Sequence, residues 1–221
     1  MNTLGIDVSR WNGKIDWQKV KDAGYSFAFI RTNDGGTLDK TFDENIKNAR
    51  KAGLMVGSYF YYRFRADKKD ILPQVELSCN MLRQAVGIDV NGNLPPGILP
   101  PVIDVEEDNK LTLSEKEKSD QLILSLEKMH EITKLAPIIY TFPSYWNTNF
   151  KTTTADKFSK YPLWIAHVTK AKEPMKTIGW TDWLFWQYSH SGSVPGVSSK
   201  DTDLNIWNGS LDDLKWFCRF D

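Results

Sequence analysis

Short apolar segments alternate with helix-like segments along most of this chain, and this alternation constrains the fold more than any other feature. The segment Phe27–Arg31 is almost continuously apolar, as is typical of a strand covered on both faces in a parallel sheet. Helical spacing precedes it at Ile15–Ala23, and a capping box of Thr41 and Glu44 predicts a second helix after it. Parallel strands joined by helices form either a closed barrel or an open doubly wound sheet.

The number of strands favours the barrel. Further strands are predicted at 4–9, 54–62, 102–104, 137–141, 161–166, 183–188 and 202–207, which makes about eight in all. Helices are predicted at 73–86 and from a capping box of Ser114 and Glu117, but no long helix is predicted between 166 and 183. We therefore expect one α/β domain over 1–221, an irregular barrel with helix-free later strands, with the open sheet as the alternative.

Composition excludes several classes of partner. Lys plus Arg and Asp plus Glu number 28 each, which leaves no basic surface for nucleic acid. No apolar run is long enough for membrane insertion, and Cys79 and Cys218 lack the neighbours that a zinc site needs, so we expect reduced thiols. The first residues do not read as a signal peptide, which predicts synthesis in a cytoplasm. We expect a monomer without cofactors.

Two carboxyl side chains follow the predicted strand at Val102 and Ile103. Because strand side chains alternate between faces, Asp104 and Glu106 project from the same face. Two carboxyls in one cleft suit cleavage of a glycosidic bond, with one as acid and the other as anion. The alternative is an acidic loop in water, formed by Glu106 with its neighbours at 107–108.

Asp7 and Asp203 also lie near the ends of predicted strands. The carboxyl ends of barrel strands form the working face, and the first and last strands of a closed barrel are neighbours. These two acids are therefore predicted to meet Asp104 and Glu106 at one rim. Several carboxylates on one rim are equally compatible with a divalent cation, so metal-assisted hydrolysis remains an alternative.

Three motifs occur in the order typical of one known family. They read Gly5-Ile-Asp-Val-Ser-Arg-Trp-Asn-Gly13, Pro101-Val-Ile-Asp-Val-Glu106, and Phe185-Trp-Gln-Tyr188 followed by Asp203-Leu-Asn205. With these motifs the whole chain resembles the glycoside hydrolase family 25 lysozymes, the Chalaropsis-type muramidases of phage endolysins, bacteria and fungi. Two departures concern groove contacts: Phe60 stands where the family often has His, and Thr32-Asn-Asp-Gly35 replaces an Ala-Thr-Glu-Gly run.

The resemblance implies a flattened, TIM-like barrel and a hydrolase that acts on bacterial peptidoglycan. Family members cleave the β-1,4 bond between N-acetylmuramic acid and N-acetylglucosamine. Carried over by motif, Glu106 is the general acid and Asp104 its partner, with Asp7 and Asp203 as supporting acids. The 2-acetamido group of the substrate favours a neighbouring-group route in which Asp104 stabilises an oxazolinium ion. The resemblance further implies a lysin made in the cytoplasm of a phage-infected host and acting at the cell wall.

Aromatic residues at strand ends are candidate sugar contacts, because flat rings with a polar handle suit sugar faces. The candidates are Tyr59, Tyr61, Tyr140, Trp186 and Tyr188. Alternation along a strand requires some of them to lie in the core instead. Arg31 is a candidate partner for the lactyl or peptide carboxylates of peptidoglycan. Besides a muramidase, a metal-assisted carbohydrate hydrolase or deacetylase and a non-catalytic carbohydrate-binding barrel remain alternatives.

Overall fold

A computed structural model describes residues 3–106 and 111–220, in which strands and helices alternate as the sequence predicts. The strands are β1 (Thr3–Val8), β2 (Tyr25–Asp34), β3 (Thr37–Leu38), β4 (Met55–Tyr61), β5 (Val102–Asp104), β6 (Ile138–Thr141), β7 (Leu163–Ala166), β8 (Phe185–Gly192) and β9 (Thr202–Trp207). The helices are α1 (Trp17–Asp22), α2 (Phe42–Lys51), α3 (Leu72–Val86), α4 (Glu115–Thr133), α5 (Pro143–Asn149), α6 (Thr152–Ala155) and α7 (Leu211–Phe217).

Eight of these strands close into a barrel, which confirms the barrel and excludes the open sheet. The order is β1-β9-β8-β7-β6-β5-β4-β2, and β1 pairs with β2 to complete the ring, while β3 extends β2 as a short hairpin. Seven barrel strands are parallel, but β9 runs antiparallel to both β8 and β1. No crossover helix joins β8 to β9, so the chain returns in the opposite direction.

Large aromatic side chains fill the lower part of the barrel, at the amino ends of its parallel strands. Phe29 stacks on Trp164 with ring centroids 4.5 Å apart, and Phe185 meets Phe29 edge-on at 5.0 Å. Helix α7 closes this end of the barrel by packing Phe217 against Trp207 at 5.2 Å. The interior is therefore a solid apolar plug, and polar side chains are left to the opposite end, where a cavity forms.

The outer face of the barrel is covered in two ways. Helices α1 to α4 pack on the first part of the barrel, burying residues such as Ile30, Val56 and Ile103. Around β7 to β9, where the sequence predicts no helix and none is found over 167–184, tryptophans take over this role. Trp186 is buried there in a small apolar cluster, against which Trp180 and Trp183 pack. Part of the high tryptophan content thus replaces missing helices.

The structure confirms one of the two capping boxes that the sequence predicts. The Ser114–Glu117 capping box is confirmed, since the Ser114 amide donates to the Glu117 carboxylate at 2.8 Å. The Thr41–Glu44 box is wrong, because the Thr41 hydroxyl donates to Asp39 instead. Helices α5 and α6 went unpredicted, and α6, with four residues, is too short to show periodicity.

Two further expectations concern thiols and membranes. Cys79 and Cys218 are both free and buried. Within the described ranges, no helix combines the length and the apolar character that crossing a bilayer requires.

Gly57 makes room for the aromatic plug, which gives a stability test. A Cβ built at Gly57 lies 2.5 Å from the Phe29 ring and 3.1 Å from Leu99 Cβ. We expect Gly57→Ala to lower the free energy of unfolding by about 1–3 kcal/mol, because the ring has no space to retreat. Urea denaturation measures this loss. Gly36→Ala is the control, since nothing lies within 4 Å of its added Cβ; equal stability of the two variants would contradict the packing argument.

Candidate active site

The four predicted acids meet at one cavity of about 820 Å³ at the upper end of the barrel. Asp7, Asp104, Glu106 and Asp203 all line it, and its volume falls in the range of roughly 300–1,000 Å³ typical of small-molecule sites. Asp7 and Asp203 are direct partners in the β1–β9 pairing. Asp203 lies at the amino end of β9, not at a carboxyl end as predicted. It reaches the same rim because β9 runs antiparallel.

Glu106 lies two residues beyond β5, on the same face as Asp104. The chain stays extended between them because the Val105 amide donates to the Tyr140 carbonyl at 2.9 Å and the Val105 carbonyl accepts from Thr141 at 2.9 Å. Asp104 is 4% exposed, whereas Glu106 is half-buried and open to the cavity. The structure thus separates a buried acid from an accessible one by a single residue of chain.

Burial and mutual repulsion keep a proton on this pair. Burial raises the pKa of Asp104 well above its ordinary value, and the nearby charge of Glu106 raises it further. Burial also raises the pKa of Glu106, with Asp7 adding to the effect. The two carboxyls are hydrogen-bonded to each other, which raises the pKa of Asp104 further and partly offsets the effect of burial on the pKa of Glu106, so the pair shares a proton. Glu106 is the member of the pair that can hand this proton to a bound molecule.

The Asp7 carboxyl is held in place by two side-chain amides. It is 4% exposed, and its Oδ2 accepts from Gln187 at 2.9 Å and from Asn205 at 2.7 Å. Both amides are themselves oriented, since Tyr140 donates to the Gln187 oxygen at 2.9 Å and Trp164 donates to the Asn205 oxygen at 2.8 Å. The Asp7 carboxyl therefore has one defined orientation in the cavity floor.

Tyr140 connects the two acid clusters. Its hydroxyl donates to Gln187, which in turn donates to Asp7, and it is also hydrogen-bonded to Glu106. Glu106, Tyr140, Gln187 and Asp7 consequently form one chain of polar contacts across the cavity floor. A change in protonation at one end alters the hydrogen bonding at the other.

Asp203 completes the cluster near the solvent side. It is partly exposed and hydrogen-bonded to Asp7. Burial, with a contribution from the charge of Glu106, raises its pKa to about 6. Asp203 therefore ionises as the pH rises to neutrality. Its negative charge beside the other acids then lowers the stability of the folded protein.

The structure brings only some of the predicted sugar contacts to the cavity. Tyr59, Tyr61 and Tyr140 line it. Arg31 lines it as well, although it is 9% exposed and its Nε donates to Asp39 at 3.1 Å. A direct contact between Arg31 and substrate remains a prediction.

Trp186 and Tyr188 do not line this cavity, unlike the three tyrosines. Trp186 is buried on the outer face of the barrel, where Tyr188 packs beside it with ring centroids 6.3 Å apart. Alternation along β8 places Gln187 inside and its two aromatic neighbours outside. The sequence could not show which side of β8 faces inward.

Several wall residues were missed by sequence reasoning. They include Gln187, Trp11, Asn12, Phe142, Trp164 and Met175. Trp11 is 73% exposed, and it sits on a turn in which the Ser9 side chain accepts from its amide. The motifs that carried the family resemblance include Trp11, Gln187 and Asn205. The sequence therefore contained a signal for these residues that the prediction did not use.

Two alternatives were tested against this geometry. Among residues 3–106 and 111–220, no group of three or more His, Cys, Asp or Glu side chains is arranged to hold a metal ion. Glu106 faces the cavity, which argues against a purely solvated acidic loop. Residues 107–108, the rest of that supposed loop, lie outside the described residues.

Comparisons with known proteins identify the same class of molecule. The model of the family described as glycosyl hydrolases family 25 matches residues 6–197. Lysozyme M1 of Streptomyces globisporus is 34% identical over 214 residues, covering 93% of this chain and 68% of that protein. Escherichia coli K12 YegX is also 34% identical, over 96% of this chain and 72% of its own length. The crystal structure of the bacterial lysozyme from Streptomyces coelicolor matches with a TM-score of 0.83 at 31% identity, covering 100% and 99% of the two chains.

The raised pKa of Asp203 predicts how stability depends on pH. The folded protein binds this proton up to about pH 6, whereas the unfolded chain loses it near its ordinary value of 3.8. Stability therefore falls as the pH rises between those values. We expect Asp203→Asn to be more stable than the wild type by about 1–2 kcal/mol at pH 7 and to lose this advantage at pH 4.

Urea denaturation at pH 4, 5, 6 and 7 measures the effect. Asp212→Asn is the control, because the Asp212 side chain is 93% exposed and far from these acids in the barrel. A pH slope that is the same in Asp203→Asn and the wild type would refute the assignment.

Proposed function

This chain belongs to glycosyl hydrolase family 25, and we propose that it is a lysozyme that cleaves the β-1,4 bond between N-acetylmuramic acid and N-acetylglucosamine in bacterial peptidoglycan. The observation that carries this proposal is the pair of Asp104, almost fully buried, and Glu106, half-buried at the wall of the same cavity. A carboxyl that keeps its proton beside one that can become an anion is what glycosidic cleavage requires.

Glu106 is the proposed general acid. Its pKa is raised by burial, and it is the member of the pair that opens to the cavity. It would donate its proton to the glycosidic oxygen as the bond to the anomeric carbon breaks, so that the sugar leaves as an alcohol. The resulting Glu106 carboxylate would then remove a proton from the water that attacks the intermediate. Tyr140, hydrogen-bonded to Glu106, would orient the carboxyl in the cavity before the proton is transferred.

Asp104 is the proposed stabiliser of a neighbouring-group intermediate. Its Oδ1 is buried and accepts no hydrogen bond from an amide, hydroxyl or guanidinium group of the described residues. An acetamido N–H is a donor of the kind this oxygen lacks. When the acetamido oxygen attacks the anomeric carbon, positive charge develops on the amide, and the adjacent carboxylate would stabilise it.

Asp7 and Asp203 are proposed as supporting acids. Asp7 is held in one orientation by Gln187 and Asn205, and burial raises its pKa well above the ordinary value. When Asp7 is ionised, its charge raises the pKa of Glu106. Asp203 is close to solvent and hydrogen-bonded to Asp7, a position suited to orienting the attacking water. Because the substrate is a wall polymer, we also propose that the enzyme acts at the bacterial cell wall.

Replacing Glu106 tests the proposed acid. Glu106→Gln keeps the shape of the side chain but has no proton to donate, so we expect the release of reducing ends from purified peptidoglycan to fall by about 100- to 10,000-fold. Thermal unfolding confirms that the variant is folded. Glu44→Gln, on the exposed face of α2, is the matched control and should keep full activity. Full activity of Glu106→Gln would overturn the assignment, and mass spectrometry of the fragments identifies which sugar carries the new reducing end.

The stereochemistry of the product tests the role of Asp104. Attack by the acetamido oxygen followed by attack of water inverts the anomeric carbon twice, so the first product retains the β configuration. Proton NMR of the reaction in its first minutes, before mutarotation, should show the β anomer. An initial α anomer would exclude the neighbouring-group route and favour direct attack by water.

A further inference from the structure

Asp39 is a buried carboxylate that does not line the cavity but is linked to residues that do. It is 2% exposed and lies between β3 and α2. Its Oδ2 accepts from the Arg10 amide at 2.9 Å and from Arg31 Nε at 3.1 Å. Its Oδ1 accepts from the amide of Thr41 at 3.1 Å and from the Thr41 hydroxyl at 2.7 Å. Both oxygens are thus saturated, and the carboxylate is anchored to α2.

Arg31 connects Asp39 to the reacting acids. Its Nη2 is 3.1 Å from Asp39 Oδ2 as an ion pair but has no hydrogen-bond geometry to any acceptor in the described part of the chain. Arg31 and Asp104 line the same cavity, and Asp104 Oδ1 is likewise buried without a donor. A buried donor and a buried acceptor therefore belong to residues of the same cavity but are not hydrogen-bonded to each other. Both Nε and Nη2 of Arg31 lie 3.1 Å from Asp39 Oδ2, so the ion pair with Asp39 holds the guanidinium.

The charge of Arg31 acts against retention of the proton. A cation near a carboxyl pair favours its ionised form, and Arg31 does lower the pKa of Asp104. The other groups that act on the Asp104–Glu106 pair or are acted on by it are Asp7 (β1), Tyr59 and Tyr61 (β4), Arg63, Tyr140 (β6) and Asp203 (β9). The second cation, Arg63, has its own ion pair with Asp34 at 2.7 Å. Arg31 is the buried cation of the two, with its side chain 11% exposed.

We propose that Asp39 is a positioning residue for hydrolysis: it holds Arg31 back from Asp104, so that the Asp104–Glu106 pair keeps the proton that Glu106 donates. This inference rests on the proposed role of Glu106 as the acid. Without the negative charge of Asp39, the guanidinium turns to Asp104, forms the missing hydrogen bond and drives the proton off the pair. The enzyme then has its acid in the wrong form at neutral pH.

The same carboxylate fixes one wall of the cavity. Because Asp39 accepts the Arg10 amide, it ties the turn that carries Trp11 and Asn12 to the buried ion pair. Loss of this bond would affect substrate binding, whereas a change in the protonation of Glu106 would affect turnover. The two consequences can be separated by measuring KM and kcat independently.

The test compares three variants by two readouts. Asp39→Asn removes the charge, Arg31→Gln removes the cation, and Thr41→Val removes the hydroxyl bond to Asp39 while leaving its charge. The first readout is the pH dependence of kcat on soluble peptidoglycan fragments. The second, which needs no activity, is the titration midpoint of Glu106, followed by the chemical shift of its ¹³C-labelled side-chain carboxyl and assigned with Glu106→Gln.

We expect the alkaline limb of kcat and the Glu106 midpoint to move down by about one pH unit in Asp39→Asn. Both should move up in Arg31→Gln and stay in place in Thr41→Val, even if Thr41→Val is less stable. Lower kcat in Asp39→Asn without a shift in either readout would mean a merely structural role and would overturn the inference. If Asp39→Asn does not fold, Arg31→Gln decides, since an unmoved or lowered midpoint there contradicts the proposal.

Failure of the proposed function would look different. An active Glu106→Gln variant would remove Glu106 from the reaction, yet the midpoint measured by NMR would still report on the link between Asp39 and Arg31. Conversely, an inactive Glu106→Gln variant with unshifted midpoints in Asp39→Asn and Arg31→Gln would leave the lysozyme proposal intact and dismiss the role of Asp39.

Discussion

The cost of burying carboxylates next to one another governs this structure. Asp7 and Asp104 are almost completely shielded from water, and Glu106 and Asp203 are partly shielded beside them. Removing such groups from water disfavours their charged forms, and each new charge disfavours the next. The cluster therefore holds protons at a pH where isolated carboxyls have lost them. The rest of the fold surrounds this cluster with three stabilising features. These are the amide donors to Asp7, the cation of Arg31 paired with Asp39, and a floor of packed aromatic side chains.

The floor of the cavity consists of aromatic rings that pack tightly against one another. Trp164 lies directly under the acids, stacked on Phe29 and with Tyr140 edge-on at 4.7 Å. The indole N–H of Trp164 has a hydrogen-bond partner although the ring lies in the apolar plug. It donates to Asn205, which in turn donates to Asp7. Packing and polar order are thus coupled through single side chains. A shift of the plug would be transmitted to the orientation of Asp7.

The antiparallel last strand has a functional consequence. In an all-parallel barrel only the carboxyl ends of strands reach the working face. Reversal of β9 brings its amino end to that face, and with it Asp203 opposite Asp7. Residues 167–184, all of them described, contain no helix, and the outer surface there is covered by tryptophans. Reversal of β9 therefore explains the fourth acid of the site, whereas the helix-free segment 167–184 between the parallel strands β7 and β8 explains the positions of aromatic residues that resemble sugar platforms in the sequence.

The sequence by itself determined the alternation of strands and helices, the closed barrel as the favoured form, and the acids Asp7, Asp104, Glu106 and Asp203. These features follow from local periodicity, from the i, i+2 geometry of a strand and from motifs that resemble a known family. Only the tertiary structure decided the direction of β9 and which side of β8 faces the cavity. Both depend on contacts between segments far apart in the chain, and alternation fixes the relative but not the absolute facing of residues along a strand.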